Sequence, residues 1–287
     1  MQLPNNTDLP FFTYGIFKPG QLGYLAIKHL VNASLKSSAP GYLKVRDGLP
    51  LFVKGNYDFG GIHGYLISAN KKNIKTLYQK VSDYEPHNQY VWGKIDTTDS
   101  NDSKTKANIL LGKTPERGSE SLMENYWDSK EHDGIFTDGF HVVKEILDNN
   151  RNSDFKSLYY LQMGYLFLWT IIDRYATMRY TLSRDTKKRY KAFYKDPIFV
   201  KALINVLEGK DIYHREIYSA GKPKDKYHLT INDPKKSFLY YYQIRNNITH
   251  RGKAQDQDYE KISSSIEELL TIMKEVVNSA FSESALS

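Results

Sequence analysis

The chain has 287 residues and no cysteine. That absence excludes disulfides, thiolate nucleophiles and cysteine-bound zinc. It also lacks an apolar run near the ~20 residues a membrane span needs. The longest such run, Tyr165 to Ile172, is much shorter and contains Trp169 and Thr170. The first ten residues are polar and have neither the basic nor the apolar region of a signal peptide. His214 and His228 show no ligand spacing, so neither a metal nor a cofactor is expected. These absences together predict a cytoplasmic protein with no membrane partner.

What is present is a hydrophobic fraction of 40%, rich in tyrosine (23) and phenylalanine (13). That is enough for two cores of ordinary size at this length. The net charge of +7 is unevenly placed. Residues 1–150 hold 17 Lys+Arg and 17 Asp+Glu, whereas residues 151–287 hold 23 and 16. A basic half beside a neutral half points the second half toward a polyanion such as RNA.

Up to about Lys113 the pattern is mostly strand. Phe11 to Phe17 is an aromatic and β-branched run ending in the turn signal Lys18-Pro19-Gly20-Gln21. Gln21 to Val31 reads as a short helix, and Tyr42 to Val45, Leu51 to Lys54 and Ile62 to Ser68 as strands. Asn70 to Ser82 reads as a helix, with Ile74, Leu77, Tyr78 and Val81 at three- and four-residue spacing. Gln89 to Thr97 and Ala107 to Leu111 complete the strands around a polar hairpin tip, Thr97 to Lys106. The polar run Asp148 to Asp154 is the natural boundary, with Ser153 or Asp154 positioned to cap the next helix.

Beyond it the spacing is helical. Phe155 to about Leu182 is apolar on most faces, and Arg184 to about Leu207 reads as one helix whose first part is strongly basic. A third helix starts at Asp233-Pro234, a cap followed by proline in the first turn, and should end near Gly252. The last runs from about Asp256 to Phe281 with one apolar stripe. The expected fold class is α+β: a small mixed β-barrel or sheet domain over 1–147, a linker over 148–154, and an all-α bundle of four or five helices over 155–287.

The third helix carries Arg245-Asn246-Asn247-Ile248-Thr249-His250. An arginine fork binds phosphate, an amide orients it, and a histidine titrates near neutrality. Asn246 and His250, four apart, share a helix face, but Arg245 and His250 lie about 140° apart on an ideal helix. They converge only at a frayed helix end or across a symmetry mate. Tyr240, Tyr241 and Tyr242 precede the motif and could stack on unpaired bases. The basic run Arg184 to Lys195 reads as a solvated face.

The hexad resembles the signature of HEPN ribonucleases, an arginine followed by a polar residue and then a histidine. The resemblance implies a homodimer through the helical domain. It also implies metal-independent RNA cleavage with His250 as general acid or base, Arg245 on the phosphate, Asn246 orienting it, and Arg251 and Lys253 adding backbone affinity. A toxin or defence effector is the expectation, with an antitoxin protein as a further partner. The first half carries a second resemblance. Tyr14-Gly15-Ile16-Phe17-Lys18-Pro19-Gly20, Gly61-Ile62-His63-Gly64-Tyr65-Leu66 and Asp83-Tyr84-Glu85-Pro86 with Tyr90 stand in an order similar to gamma-glutamylcyclotransferase-like domains, followed by Trp127, Asp133, Phe136 and Gly139. This implies Glu85 as the acid/base on a small γ-glutamyl ligand, with the backbone of Tyr14, Gly15, Ile16 and Phe17 holding its polar end. The sequence departs from that family at Ile16, which replaces a small hydroxyl residue, and at Pro86, which replaces glycine. Three readings are open: an RNA-cleaving effector regulated by the first domain, a cyclotransferase with a helical dimeriser, and a non-catalytic RNA- or protein-binding module.

Overall fold

The computed structural model describes residues 1–55, 61–85, 88–180, 185–219, 221–222, 224–251 and 258–285. Of His250 and Arg251 only the backbone is described, and Pro86, Gly252 and Lys253 lie outside the described residues. The chain forms two units. One collects the described residues among 1–134, 177–186 and 281–287, and the other those among 135–176 and 187–280.

The first unit comprises β1 (Phe11–Thr13), α1 (Tyr24–Ile27), β2 (Ala33–Ala39), β3 (Tyr42–Arg46), β4 (Leu49–Val53), β5 (Ile62–Ser68), α2 (Ile74–Tyr84), β6 (Tyr90–Asp99), β7 (Lys104–Gly112), β8 (Glu120–Ser121) and α3 (Ser129–His132). Five strands close a barrel in the order β1-β5-β2-β6-β7, with β1 pairing β7 in parallel to complete the ring. The β3–β4 hairpin turns on Asp47-Gly48, both at positive φ (52° and 71°). That is the pair a two-residue turn matched to strand twist demands. A third strand, β8, extends this hairpin into its own sheet. Phe11, Phe12, Ile67 and Ile109 are fully buried or nearly so, as are Leu77, Tyr78 and Val81 on one face of α2.

Several elements differ from expectation. β1 stops at Thr13, because the chain turns at once, the Lys18 N–H donating to the Gly15 carbonyl at 3.1 Å. β2 was not expected. Its sequence, ASLKSSA, carries little apolar signal, and its place is fixed by pairing with β5 along its length and with β6 at one end. The expected hairpin tip over Thr97 to Lys106 shrinks to 100–103, where an Asp99 side-chain oxygen accepts the N–H groups of Asn101 and Ser103 at 2.8 and 3.0 Å.

The second unit holds α5 (Gly139–Asn149), α8 (Pro197–Leu207), β9 (Glu216–Tyr218), β10 (Lys226–His228) and α9 (Pro234–Arg251), together with most of α6 (Phe155–Tyr180), α7 (Thr186–Phe193) and α10 (Asp258–Ala285); the short α4 (Gly134–Thr137) precedes α5. Asp154 caps α6, accepting the Ser157 N–H at 2.7 Å, and Asp233 caps α9, accepting from Lys236 at 3.0 Å. The helix expected over Arg184 to Leu207 is two helices. Pro197 has no N–H to continue α7, and Asp196 caps a fresh start by accepting from Ile198 at 2.9 Å. The antiparallel β9–β10 pair was not expected either; its three-residue strands are too short to show a period. Around Trp169 the rings of Tyr190, Phe238 and Tyr242 pack edge-on at 5.4 to 6.1 Å, the geometry aromatic quadrupoles favour. Among the described residues no helix is long and apolar enough to cross a membrane.

Candidate acid/base site and the Arg245 helix

Glu85 ends α2. Its N–H closes the helix on the Val81 carbonyl at 3.1 Å, and its backbone then turns extended. That leaves the side chain inside the unit, 5% exposed. It lines a small cavity with Thr13, Tyr14, Gly15, Ile16, Phe17, Pro50, Tyr90 and Leu110. The four turn residues singled out with Glu85 in the sequence are therefore brought to the same cavity. Its open volume is about 20 Å³, room for one water.

The walls of this cavity are held by hydrogen bonds. The Tyr14 hydroxyl donates to the Leu110 carbonyl at 2.7 Å and accepts from the Phe52 N–H at 3.2 Å. The Tyr90 hydroxyl donates to the Pro50 carbonyl at 2.9 Å. Phe17 packs edge-on against Tyr84, the residue before Glu85, at 5.2 Å. Gly15 is needed for space, since a Cβ there would meet the Pro50 ring at 2.9 Å.

Within this shell Glu85 Oε2 is buried and has no hydrogen-bond partner among the described residues. Burial in low dielectric disfavours the carboxylate and pushes its pKa up to about 8. The group is therefore a neutral acid at pH 7 that ionises just above it, the range in which one carboxyl can both give and take a proton. Burial also raises the Tyr14 hydroxyl, and the nearby Glu85 charge adds to that.

The Arg245 helix is built differently. Arg245 and Asn246 are half-buried on α9. One Arg245 N–H donates to the Asn246 side-chain oxygen at 3.3 Å, and the guanidinium lies 6.0 Å from the Tyr242 ring centroid. Asn247 is turned inward. Its amide donates to the Tyr218 carbonyl and accepts from Gln243, both at 2.8 Å, tying α9 to β9. The side chains of His250 and Arg251 and all of Lys253 lie outside the described residues, so of the expected RNA-directed set Arg245 and Asn246 have described positions. Tyr240 and Tyr241 are fully buried, which removes them as stacking platforms, while Tyr242 is half-buried. Lys187, Lys188, Lys191 and Lys195 are exposed, as expected of a solvated face, whereas Arg189 is half-buried and Arg184 lies outside the described residues.

Sequence reading missed Thr13, Pro50 and Leu110 at the Glu85 cavity. Pro50 had a usable signal, since the Asp47-Gly48 turn predicts the hairpin that delivers it. It also missed the buried polar cluster where Arg215 pairs with Glu268, whose other oxygen accepts from the Tyr241 hydroxyl at 2.8 Å. Among the described residues no group of three His, Asp or Glu side chains could hold a metal. No protein-family model, no curated protein and no solved structure matches the chain.

Proposed function

We propose that the barrel unit is a gamma-glutamyl cyclotransferase-type acid/base site with Glu85 as its catalytic group. The observation that carries this reading is a buried carboxyl without a partner on Oε2, against the backbone turn Tyr14–Phe17. In the reaction the α-amine of a γ-glutamyl amine attacks the γ-carbonyl. A C–N bond forms to close a five-membered lactam, and the original amide C–N bond breaks. Glu85 as carboxylate takes the proton from the attacking nitrogen and returns it to the leaving nitrogen, so it ends as it began. The turn's N–H groups would receive the substrate's carboxylate. A γ-glutamyl group exceeds 20 Å³, so this chemistry requires the cavity to widen around its ligand. The test is incubation of the full chain with γ-glutamylalanine. Release of alanine and lactam by wild type and not by Glu85→Gln supports the reading, and no release by either removes it.

A second reading is favoured by the half-buried Arg245 and Asn246 on the basic unit: an HEPN-type, metal-independent endoribonuclease, acting as a toxin or defence effector with the barrel unit as ligand sensor. His250 would move the proton of the ribose 2′-hydroxyl, whose oxygen attacks phosphorus to leave a 2′,3′-cyclic phosphate and a 5′-hydroxyl. Arg245 would hold the phosphate. Cleavage of labelled tRNA in EDTA by wild type and not by His250→Ala, leaving 5′-hydroxyl ends, supports it; equal cleavage by both removes His250 from the reaction.

A further inference from the structure

A larger pocket, about 450 Å³, opens on the barrel unit, lined by parts of β2, β5 and β6, by Lys18 and by Tyr126. It shares no lining residue with the Glu85 cavity, although Thr13 of that cavity pairs with Tyr65 of this pocket. Its volume lies in the range of small-molecule sites.

Lys18 sets its chemistry. The side chain is 8% exposed, and its ammonium donates to the Trp127 carbonyl. An ammonium has three N–H donors, and that carbonyl is its one hydrogen-bond acceptor among the described residues. A buried cation short of acceptors is costly unless a ligand completes it. Burial lowers the Lys18 pKa, while Asp128 and Glu131 act against that and help to keep it charged. Both carboxylates have other partners: Asp128 accepts from the Lys130 N–H at 2.8 Å and Glu131 from the Tyr126 hydroxyl. At the rim, the exposed Lys36 adds a second cation and the exposed His63 a ring N–H donor. Asp99, the carboxylate in the lining, spends one oxygen on its own hairpin turn. Ser38 and Thr98 line the wall, and Tyr65 and Tyr126 supply rings.

We infer that this pocket is a second small-molecule site, for a phosphate monoester of nucleotide size, with the phosphate on Lys18 and Lys36 and the ring system against Tyr65 and Tyr126. A phosphate dianion offers three terminal oxygens, matching two ammonium groups with open donors and neighbouring hydroxyls. A nucleobase gives the tyrosine rings a face to pack on. The inference does not depend on chemistry at Glu85.

The test is calorimetric titration of the full chain with adenosine monophosphate, inorganic phosphate and adenosine. Wild type is expected to bind the monophosphate more tightly than either fragment. Lys36→Glu should weaken that binding by about tenfold or more, the loss of a charge-assisted contact, and Lys18→Met should abolish it. Lys75→Glu makes the same charge change on α2 and should bind as wild type does. Because Lys18→Met removes a buried bond and can disturb folding, Tyr126→Ala serves as a second variant and should also weaken binding. The inference is overturned if wild type does not bind the monophosphate at millimolar concentration, if adenosine binds as tightly, or if Lys36→Glu and Lys75→Glu behave alike.

Discussion

Glu85 and Arg245 mark two regions built in opposite ways. The Glu85 cavity is assembled from β1, the turn after it, β4, α2, β6 and β7, so that residues far apart in sequence meet over a few ångströms. Barrel closure does this work: once β1 is paired with both β5 and β7, the turn at its end has one place to go. The Arg245 motif is one stretch of one helix. Its residues are legible together in the sequence, and what the fold adds is a division of labour among them. Asn247 is spent on structure, while Arg245 and Asn246 remain partly open. The lesson is that an enclosed site is specified by topology and a linear motif by local spacing.

The largest expected effect falls on the enclosed site. Glu85→Gln should lower turnover of a γ-glutamyl amine by about 10²- to 10⁴-fold, the usual contribution of a general acid/base. In wild type the rate should rise with pH to a plateau above about 8, where Glu85 becomes a carboxylate. A flat profile between pH 6 and 9 in steady-state kinetics would break the assignment.

The next effect belongs to the helical unit. Glu268→Ala removes the partner of a largely buried Arg215 and should cost on the order of 3–5 kcal/mol, read by urea unfolding. A cost near zero would mean that this cluster does not hold the unit together.

Stability should also depend on pH through Glu85, with a definite sign. Its folded pKa is raised from 4.5 to about 8, so its contribution is fully present below about pH 4.5 and is lost as pH rises through about 8. Glu85→Gln escapes that loss. Relative to wild type it should gain on the order of 5 kcal/mol at pH 9 and nothing at pH 4, measured by denaturation at both values.

The smallest effects sharpen the division within α9. Asn247→Ala leaves Gln243 and the Tyr218 carbonyl without their partner and should cost about 1–3 kcal/mol. Arg245→Ala and Asn246→Ala should each cost about 0.5 kcal/mol or less while abolishing any RNA cleavage. Equal destabilisation by all three would make the motif structural throughout.

The same contrast separates what was legible in the sequence from what was not. The helical period of Ile74, Leu77, Tyr78 and Val81 marked α2, and the Asp233-Pro234 pair marked the start of α9. The order of short motifs in the first half also picked out the Tyr14–Phe17 turn together with Glu85, and these residues line one cavity. β2 escaped because serine and lysine at its centre hide the alternation, and pairing on both sides specifies it instead. The break between α7 and α8 was written in Asp196-Pro197, the same cap-and-proline signal that was used for α9. Leu110 escaped because only the closed barrel sets β7 beside Glu85, whereas Pro50, on the β3–β4 hairpin outside the barrel strands, was within reach of the Asp47-Gly48 turn signal. The Lys18 pocket escaped because a lysine next to a proline-glycine turn looks solvent-facing until the Trp127 carbonyl is seen to hold it inside.

The most direct test is the titration of Glu85 itself. The side-chain carboxyl carbon can be followed by ¹³C NMR in glutamate-labelled protein, with Glu85→Gln assigning the signal. The account predicts a midpoint near 8, set by burial without a charged partner; a midpoint near the ordinary 4.5 would show an accessible, solvated carboxylate and would contradict it.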